Sequence, residues 1–160
     1  MNQSISKRAF LTAAVAAIPL AAQTVPATKM PDRGPAIDGG LVKDFVGAAH
    51  GNLEKTQAML AEKPGLLNAT WDWGGGDFET ALGGASHMGR KDIAMFLLDK
   101  GARMDVFAAA MLGKLEIVKA AAAAFPGIQN VLGPHKIPLI AHAKRGGADE
   151  VVKFLEGLKA

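Results

Sequence analysis

Apolar residues recur at helical spacing in segments that each follow a glycine. The positions of this face recur at i, i+3 and i+4 spacing, as on one face of an amphipathic helix: Leu53, Thr56, Met59 and Leu60; Ile93, Phe96 and Leu97; Val151, Phe154 and Leu155. An acidic residue stands three positions after each glycine, where it would meet the positive end of a helix dipole: Glu54, Asp92, Glu116 and Asp149. A short segment of small residues precedes each glycine. The pattern predicts four helix pairs between residues 39 and 160, which must stack because one pair cannot bury its apolar face alone.

The spacing of the glycines predicts unequal connections between the pairs. Gly51, Gly89, Gly113 and Gly146 are 38, 24 and 33 residues apart. If the last interval is taken as regular, the first carries about five extra residues and the second lacks about nine. The extra residues fall at 71–78, which predicts a long finger loop. The missing ones predict that residues 104–106 lead directly into a helix.

Three short segments resemble the ankyrin repeat. Residues 80–85, Thr-Ala-Leu-Gly-Gly-Ala, keep three positions of its Thr-Pro-Leu-His-x-Ala phrase, and residues 137–139, Ile-Pro-Leu, keep two. Residues 93–102 resemble the ankyrin helix that ends in two leucines, two variable residues and Gly-Ala. The resemblance covers residues 39–160. It implies an all-α solenoid of about four helix–turn–helix repeats, acting as a non-catalytic scaffold that binds another protein through its concave face and fingers, as a monomer without a cofactor.

The N-terminus is similar to an export signal. Ser6, Lys7, Arg8, Phe10 and Leu11 resemble the twin-arginine motif, with a lysine in place of the first arginine, so the general secretory route stays open. The apolar run that follows spans about 14 residues, whereas a membrane-spanning helix needs about 20. We therefore expect a cleaved signal at residues 1–22, a proline-rich linker at 23–38 and a mature protein in the periplasm or outside the cell.

Charge and cysteine content narrow the possible functions. The chain carries a formal charge of +3 and no cysteine. Two of the basic residues, Lys7 and Arg8, belong to the expected signal, so the mature chain is nearly neutral and offers no electrostatic basis for nucleic-acid binding. The absence of cysteine excludes disulfides and thiolate chemistry.

The finger at 71–78 holds the candidate binding residues, which are Trp71, Asp72, Trp73, Asp77 and Phe78. Two interpretations remain open: the indoles cover the adjacent helix ends, or they form a surface that binds a protein partner, with a glycan or the cell wall as the alternative ligand. We expect Trp73 to be the more exposed of the two, because it adjoins the three-glycine reversal.

No catalytic or metal site is expected from spacing. Asp72, Asp77, Glu79 and His87 fit no ligand template, and an Asx-type turn with a helix cap near Thr80 is the simpler interpretation. A hydrolase with Asp77 or His87 as base is a remote alternative. The four histidines are expected to be structural, with those before the turn glycines solvated and the one in the last pair facing outward: His50, His87, His135 and His142.

Overall fold

The computed structural model describes residues 34–158, and the expected export signal at 1–22 lies outside them. The described part is mostly helical, with eight α-helices and one two-stranded sheet. The helices are α1 (Gly39–Ala48), α2 (Leu53–Glu62), α3 (Ala81–His87), α4 (Lys91–Asp99), α5 (Val106–Met111), α6 (Leu115–Ala124), α7 (Leu139–Arg145) and α8 (Asp149–Gly157). The strands are β1 (Thr70–Asp72) and β2 (Phe78–Thr80).

Each glycine turn separates two helices that pack on each other. The pairs are α1–α2, α3–α4, α5–α6 and α7–α8. The four acidic residues that follow the turns lie in the first turns of α2, α4, α6 and α8, which confirms that part of the sequence-based prediction. Successive pairs also touch, since α1 packs against α3, α3 against α5 and α5 against α7.

The finger is a β-hairpin, so the all-α expectation is wrong for this segment. Thr70 pairs with Thr80 and Asp72 with Phe78 in antiparallel register. Asp72 Oδ1 accepts hydrogen bonds from the backbone N–H groups of Gly74 and Gly76, the expected Asx-type turn. The glycines at 74–76 all have positive φ, a conformation that a side chain would disfavour.

Two buried clusters form the core. The first joins α1–α4 to α5 around Phe45, Leu82 and Ile93, and the second joins α5 to α8 around Leu139 and Val151. Only six residues separate α4 from α5, and Asp105 caps α5 by accepting the Ala108 N–H. The expected direct entry into this helix is confirmed.

None of the helices in residues 34–158 is long and apolar enough to cross a membrane.

Candidate functional site: a histidine–glutamate cluster at the hairpin

A buried glutamate stands at the centre of the site. Glu79 lies in β2, and its side chain has no exposed surface. Three histidines and one tryptophan surround its carboxylate, and the indole N–H of Trp73 donates to Oε2 over 2.8 Å. The histidines come from the end of α1, the end of α3 and the segment before α7, which are His50, His87 and His135.

The ring of His50 is fixed by the backbone of α1. Its Nδ1 lies 3.0 Å from the carbonyl oxygen of Val46, and because a carbonyl only accepts, Nδ1 carries the proton. Nε2 then points to Glu79 Oε2 at 3.2 Å. Gly84 makes room for the ring, since a Cβ at that position would lie 2.8 Å from His50 Cε1.

His135 is held by an acidic residue of the hairpin loop. Asp77 accepts both the backbone N–H of His135 at 2.8 Å and its Nδ1 at 2.7 Å. The backbone hydrogen bond from His135, followed by the contact with its ring, holds the pKa of Asp77 below its ordinary value. Because the ionised carboxylate can only accept, Nδ1 donates and Nε2 faces Glu79 Oε2 at 3.3 Å.

The backbone at His135 is strained. His135 and the following Lys136 both have φ of 57°, in the left-handed region that side chains disfavour. The two hydrogen bonds to Asp77 compensate this conformation and set the direction of the ring. Strain that persists only because its surroundings impose it is a feature of functional sites.

His87 completes the cluster on the buried side. It is the last residue of α3, and its Nδ1 lies 2.9 Å from Glu79 Oε1. Despite this distance, neither atom has a hydrogen-bond partner of acceptable geometry among the described residues. These two buried atoms are therefore at ion-pair distance without the geometry of a hydrogen bond.

The carboxylate is kept ionised. Burial alone would raise the pKa of Glu79, but the contacts with His50, His87 and Trp73 outweigh it and place the pKa below its usual range. The same contact with Glu79 raises the pKa of His50, while burial of the ring opposes this shift. The site therefore holds a buried negative charge on Glu79, which a positive charge placed beside it would stabilise.

The four side chains form a set of possible metal ligands. His50, Glu79, His87 and His135 each offer one ligand atom, and these atoms lie within 4.8 Å of one another. The spacing of the histidines in the sequence did not predict that three of the four come together. The fourth, His142, is buried against Phe107, so the expectation that it faces outward is wrong.

The finger residues predicted to bind a partner have different roles. Trp73 is 37% exposed, but its ring packs against those of His50 and His135. Trp71 is less exposed and packs on the first core cluster, with Lys43 Nζ 5.9 Å from the centre of its ring. Both indoles therefore cover structure, and Trp73 also leaves part of its ring exposed. Asp72 serves the turn.

A cleft opens beside the cluster. It has a volume of about 680 Å³ and lies between the glycines of the hairpin loop and residues 132–136. Asp77 and His135 form part of its wall, so the cleft reaches the cluster from the solvent side. Phe78 and Leu132, on the same two loops, are 60% and 54% exposed.

One signal in the sequence could have shown part of the cluster. His50 and His87 stand one and two residues before the turn glycines of consecutive helix pairs, and stacking brings equivalent turns together. Nothing local connects His135 with them, because Asp77 contacts it across 58 positions of the chain.

No protein-family model matches the chain, and no curated protein matches it in sequence. The function has to be inferred from the geometry of the described residues.

Proposed function

We propose that the chain is a non-catalytic protein-binding module whose four helix pairs form an ankyrin-type solenoid. A partner protein would bind one surface of this solenoid, which we call the loop face. The loop face consists of the hairpin loop 73–78 and residues 131–136. The contacts between successive helix pairs support a stacked arrangement. Ankyrin arrays bind proteins through such loops and the adjacent helices.

Exposed apolar side chains on the loop face carry this proposal. Trp73, Phe78, Val131 and Leu132 are all exposed, and of these four Leu132 lines the cleft. Trp73 and Phe78 lie on the hairpin, and Val131 is next to Leu132 in the chain. Exposed large apolar groups close to a cleft are typical of a protein interaction site, and aromatic anchors often supply most of the binding energy. The described chain leaves these groups uncovered, so a partner with a complementary apolar segment would gain by burying them.

A comparison of variants tests the proposal. Proteins would be captured from an envelope extract with the full chain and with its Phe78→Ala and Leu132→Ala variants. Mass spectrometry would identify the captured protein, and calorimetry would measure its affinity for each variant. We expect each substitution to weaken binding by about 1–3 kcal/mol. Met95→Ala is the matched control, because Met95 is an exposed apolar residue on α4. Equal binding by all three variants would contradict the proposal.

Glycan binding is the second candidate, and the accessible part of the Trp73 indole favours it. Indole faces stack on sugar rings, and this indole is already oriented by its hydrogen bond to Glu79. A glycan array with the full chain distinguishes the two candidates. Binding of cell-wall oligosaccharides that Trp73→Ala abolishes and Phe78→Ala leaves unchanged would favour the glycan.

We further propose that the protein is exported and acts as a monomer in the periplasm or outside the cell. The basic and apolar pattern of residues 1–22 supports export. N-terminal sequencing of the protein from its native host should show that these residues have been removed, and Lys7→Gln with Arg8→Gln should retain it in the cytoplasm. Cytoplasmic protein that begins at Met1 would contradict export.

A further inference from the structure

We propose that His50, Glu79, His87 and His135 bind one divalent transition-metal ion. This site is independent of the proposed partner binding and can be tested on the protein alone.

The first argument is the direction of the ring nitrogens. In His50 and His135 the Nδ1 proton is committed to an acceptor, so when the ring is neutral its Nε2 carries a lone pair. Both lone pairs face the carboxylate of Glu79, which is itself an acceptor. Nitrogen lone pairs that converge on a buried carboxylate repel its oxygens unless a positive charge lies between them. A metal ion supplies that charge.

Protonation of the rings would be the alternative source of positive charge. A protonated His50 would donate from Nε2 to Glu79 and supply one positive charge. Protonation of all three rings would place imidazolium groups against each other, since the ring centres of His87 lie 4.8 Å from His50 and 5.2 Å from His135. Like charges at this distance oppose one another in a partly buried site. One ion satisfies all three rings and the carboxylate together.

The distances fit a metal centre. Zinc binds histidine nitrogen and carboxylate oxygen at about 2.0–2.2 Å, which places neighbouring tetrahedral ligands about 3.3–3.6 Å apart. Glu79 Oε2 lies 3.2 Å from His50 Nε2 and 3.3 Å from His135 Nε2, and Glu79 Oε1 lies 2.9 Å from His87 Nδ1. These separations are equal to or slightly below those of a zinc centre, and the four ligand atoms all lie within 4.8 Å of one another.

The surroundings of the ligands are those of a metal site. A metal-bound histidine usually donates its other N–H to a carboxylate or a backbone carbonyl, which fixes the ring and its tautomer. His135 donates to Asp77, and His50 donates to the Val46 carbonyl. Trp73 orients Glu79 by its indole N–H. Asp77 is therefore a positioning residue, with no ligand role of its own.

The donor set selects the class of ion. Three imidazoles and one carboxylate suit zinc and its first-row neighbours, whereas calcium and magnesium prefer sites built of oxygen. The ligands belong to the first and second helix pairs, the hairpin and the segment before α7. A bound ion would join these elements, so it should also stabilise the folded chain against unfolding.

Zinc titration of the full chain tests the site. After treatment with EDTA, calorimetry with zinc chloride and metal analysis should give one ion per chain and a higher unfolding temperature. Glu79→Gln and His135→Gln should abolish binding. Asp77→Asn should weaken binding by about 10- to 100-fold, the usual effect of removing a group that orients a ligand. His142→Gln is the control and should bind as the unsubstituted chain does.

A measurement on the unsubstituted chain makes the test independent of how the variants fold. Nitrogen-15 spectra of the histidine side chains should show that one equivalent of zinc shifts the signals of His50, His87 and His135 and leaves those of His142 unchanged. A chain that takes up no zinc would overturn the proposal. Binding that shifts a different set of histidines, or that survives both Glu79→Gln and His135→Gln, would overturn it as well.

Discussion

The tight contact between α5 and α7 makes Gly146 a sensitive position. Gly146 follows the last residue of α7, with φ −79° and ψ −4°, which every residue adopts readily. The backbone therefore does not require glycine there. The neighbouring helix does, because a Cβ would overlap the carbonyl oxygen of Met111 and lie 2.8 Å from its carbonyl carbon and 3.0 Å from its Cα.

The cost of Gly146→Ala follows from what must move. Met111 is fully buried at the end of α5, and the clash involves its main chain, so no side-chain rotation relieves it. Overpacking of a core costs about 1–3 kcal/mol and sometimes more. The gain of about 0.5–1 kcal/mol from replacing glycine by alanine offsets only part of this. We expect Gly146→Ala to lower the free energy of unfolding by about 2–3 kcal/mol.

Urea unfolding of the full chain, followed by circular dichroism, measures this loss. Gly157→Ala is the matched control, because Gly157 is the last residue of α8 and a Cβ there would meet nothing within 4 Å. The control should change the free energy of unfolding by no more than about 1 kcal/mol. An unfolding midpoint for Gly146→Ala equal to that of the unsubstituted chain would refute the close approach of α5 and α7.

Three further substitutions test the site and its surroundings. Gly84→Ala should displace the ring of His50, which is the end of a side chain and can rotate outward. We therefore expect the free energy of unfolding to change by less than about 1 kcal/mol. The affinity for zinc should fall clearly, because the ring no longer faces the cluster. Burial lowers the pKa of His142 below its usual 6.5. The stability that depends on its neutral form is therefore complete above pH 6.5 and is lost as the pH falls below that value, by up to about 1.4 kcal/mol per pH unit. His142→Gln should flatten this pH dependence, measured by urea unfolding at several pH values. Trp73→Phe should cost about 1–2 kcal/mol, because it removes the N–H donated to Glu79 and keeps most of the ring packing.

Each of these substitutions has a control in the same chain. Gly47 lies in α1, and a Cβ there would lie 4.0 Å from the Trp73 ring, an ordinary contact distance. Gly47→Ala should therefore leave zinc affinity unchanged. Trp71→Phe removes an indole N–H without a hydrogen bond among the described residues, so it should cost less than Trp73→Phe. Equal zinc affinity of Gly84→Ala and Gly47→Ala would contradict the first prediction. A pH dependence of stability that is unchanged in His142→Gln would contradict the second. Equal losses of unfolding free energy in Trp73→Phe and Trp71→Phe would contradict the third.

The sequence predicted what depends on neighbouring residues. The turn glycines, the acids in the first turns of α2, α4, α6 and α8, and the direct entry into α5 all follow from local helix chemistry, and the structure confirms them. The turn at Asp72 and the cap at Thr80 are likewise confirmed, because short polar side chains bond to the backbone within a few residues. Trp73 is more exposed than Trp71, as its place beside the glycines predicted.

The site itself depends on contacts between distant residues. The interpretation of His87 as solvated relied on its place near a helix end, but β2 places the carboxylate of Glu79 against it. His142 was expected to face outward. It is buried because Phe107 and the segment at Gly133 cover it. Periodicity identifies a face of a helix, and it does not show which loop folds over that face.

The unequal connections explain why the cluster forms at this position. Six residues without a helix or strand join α4 to α5, whereas a two-stranded hairpin lies between α2 and α3. The hairpin reaches the segment before α7, where Asp77 binds His135, and α3 contacts α7 directly. The hairpin therefore supplies Glu79 and Asp77, while the contact between α3 and α7 brings His87 near His135, whose ring centres lie 5.2 Å apart.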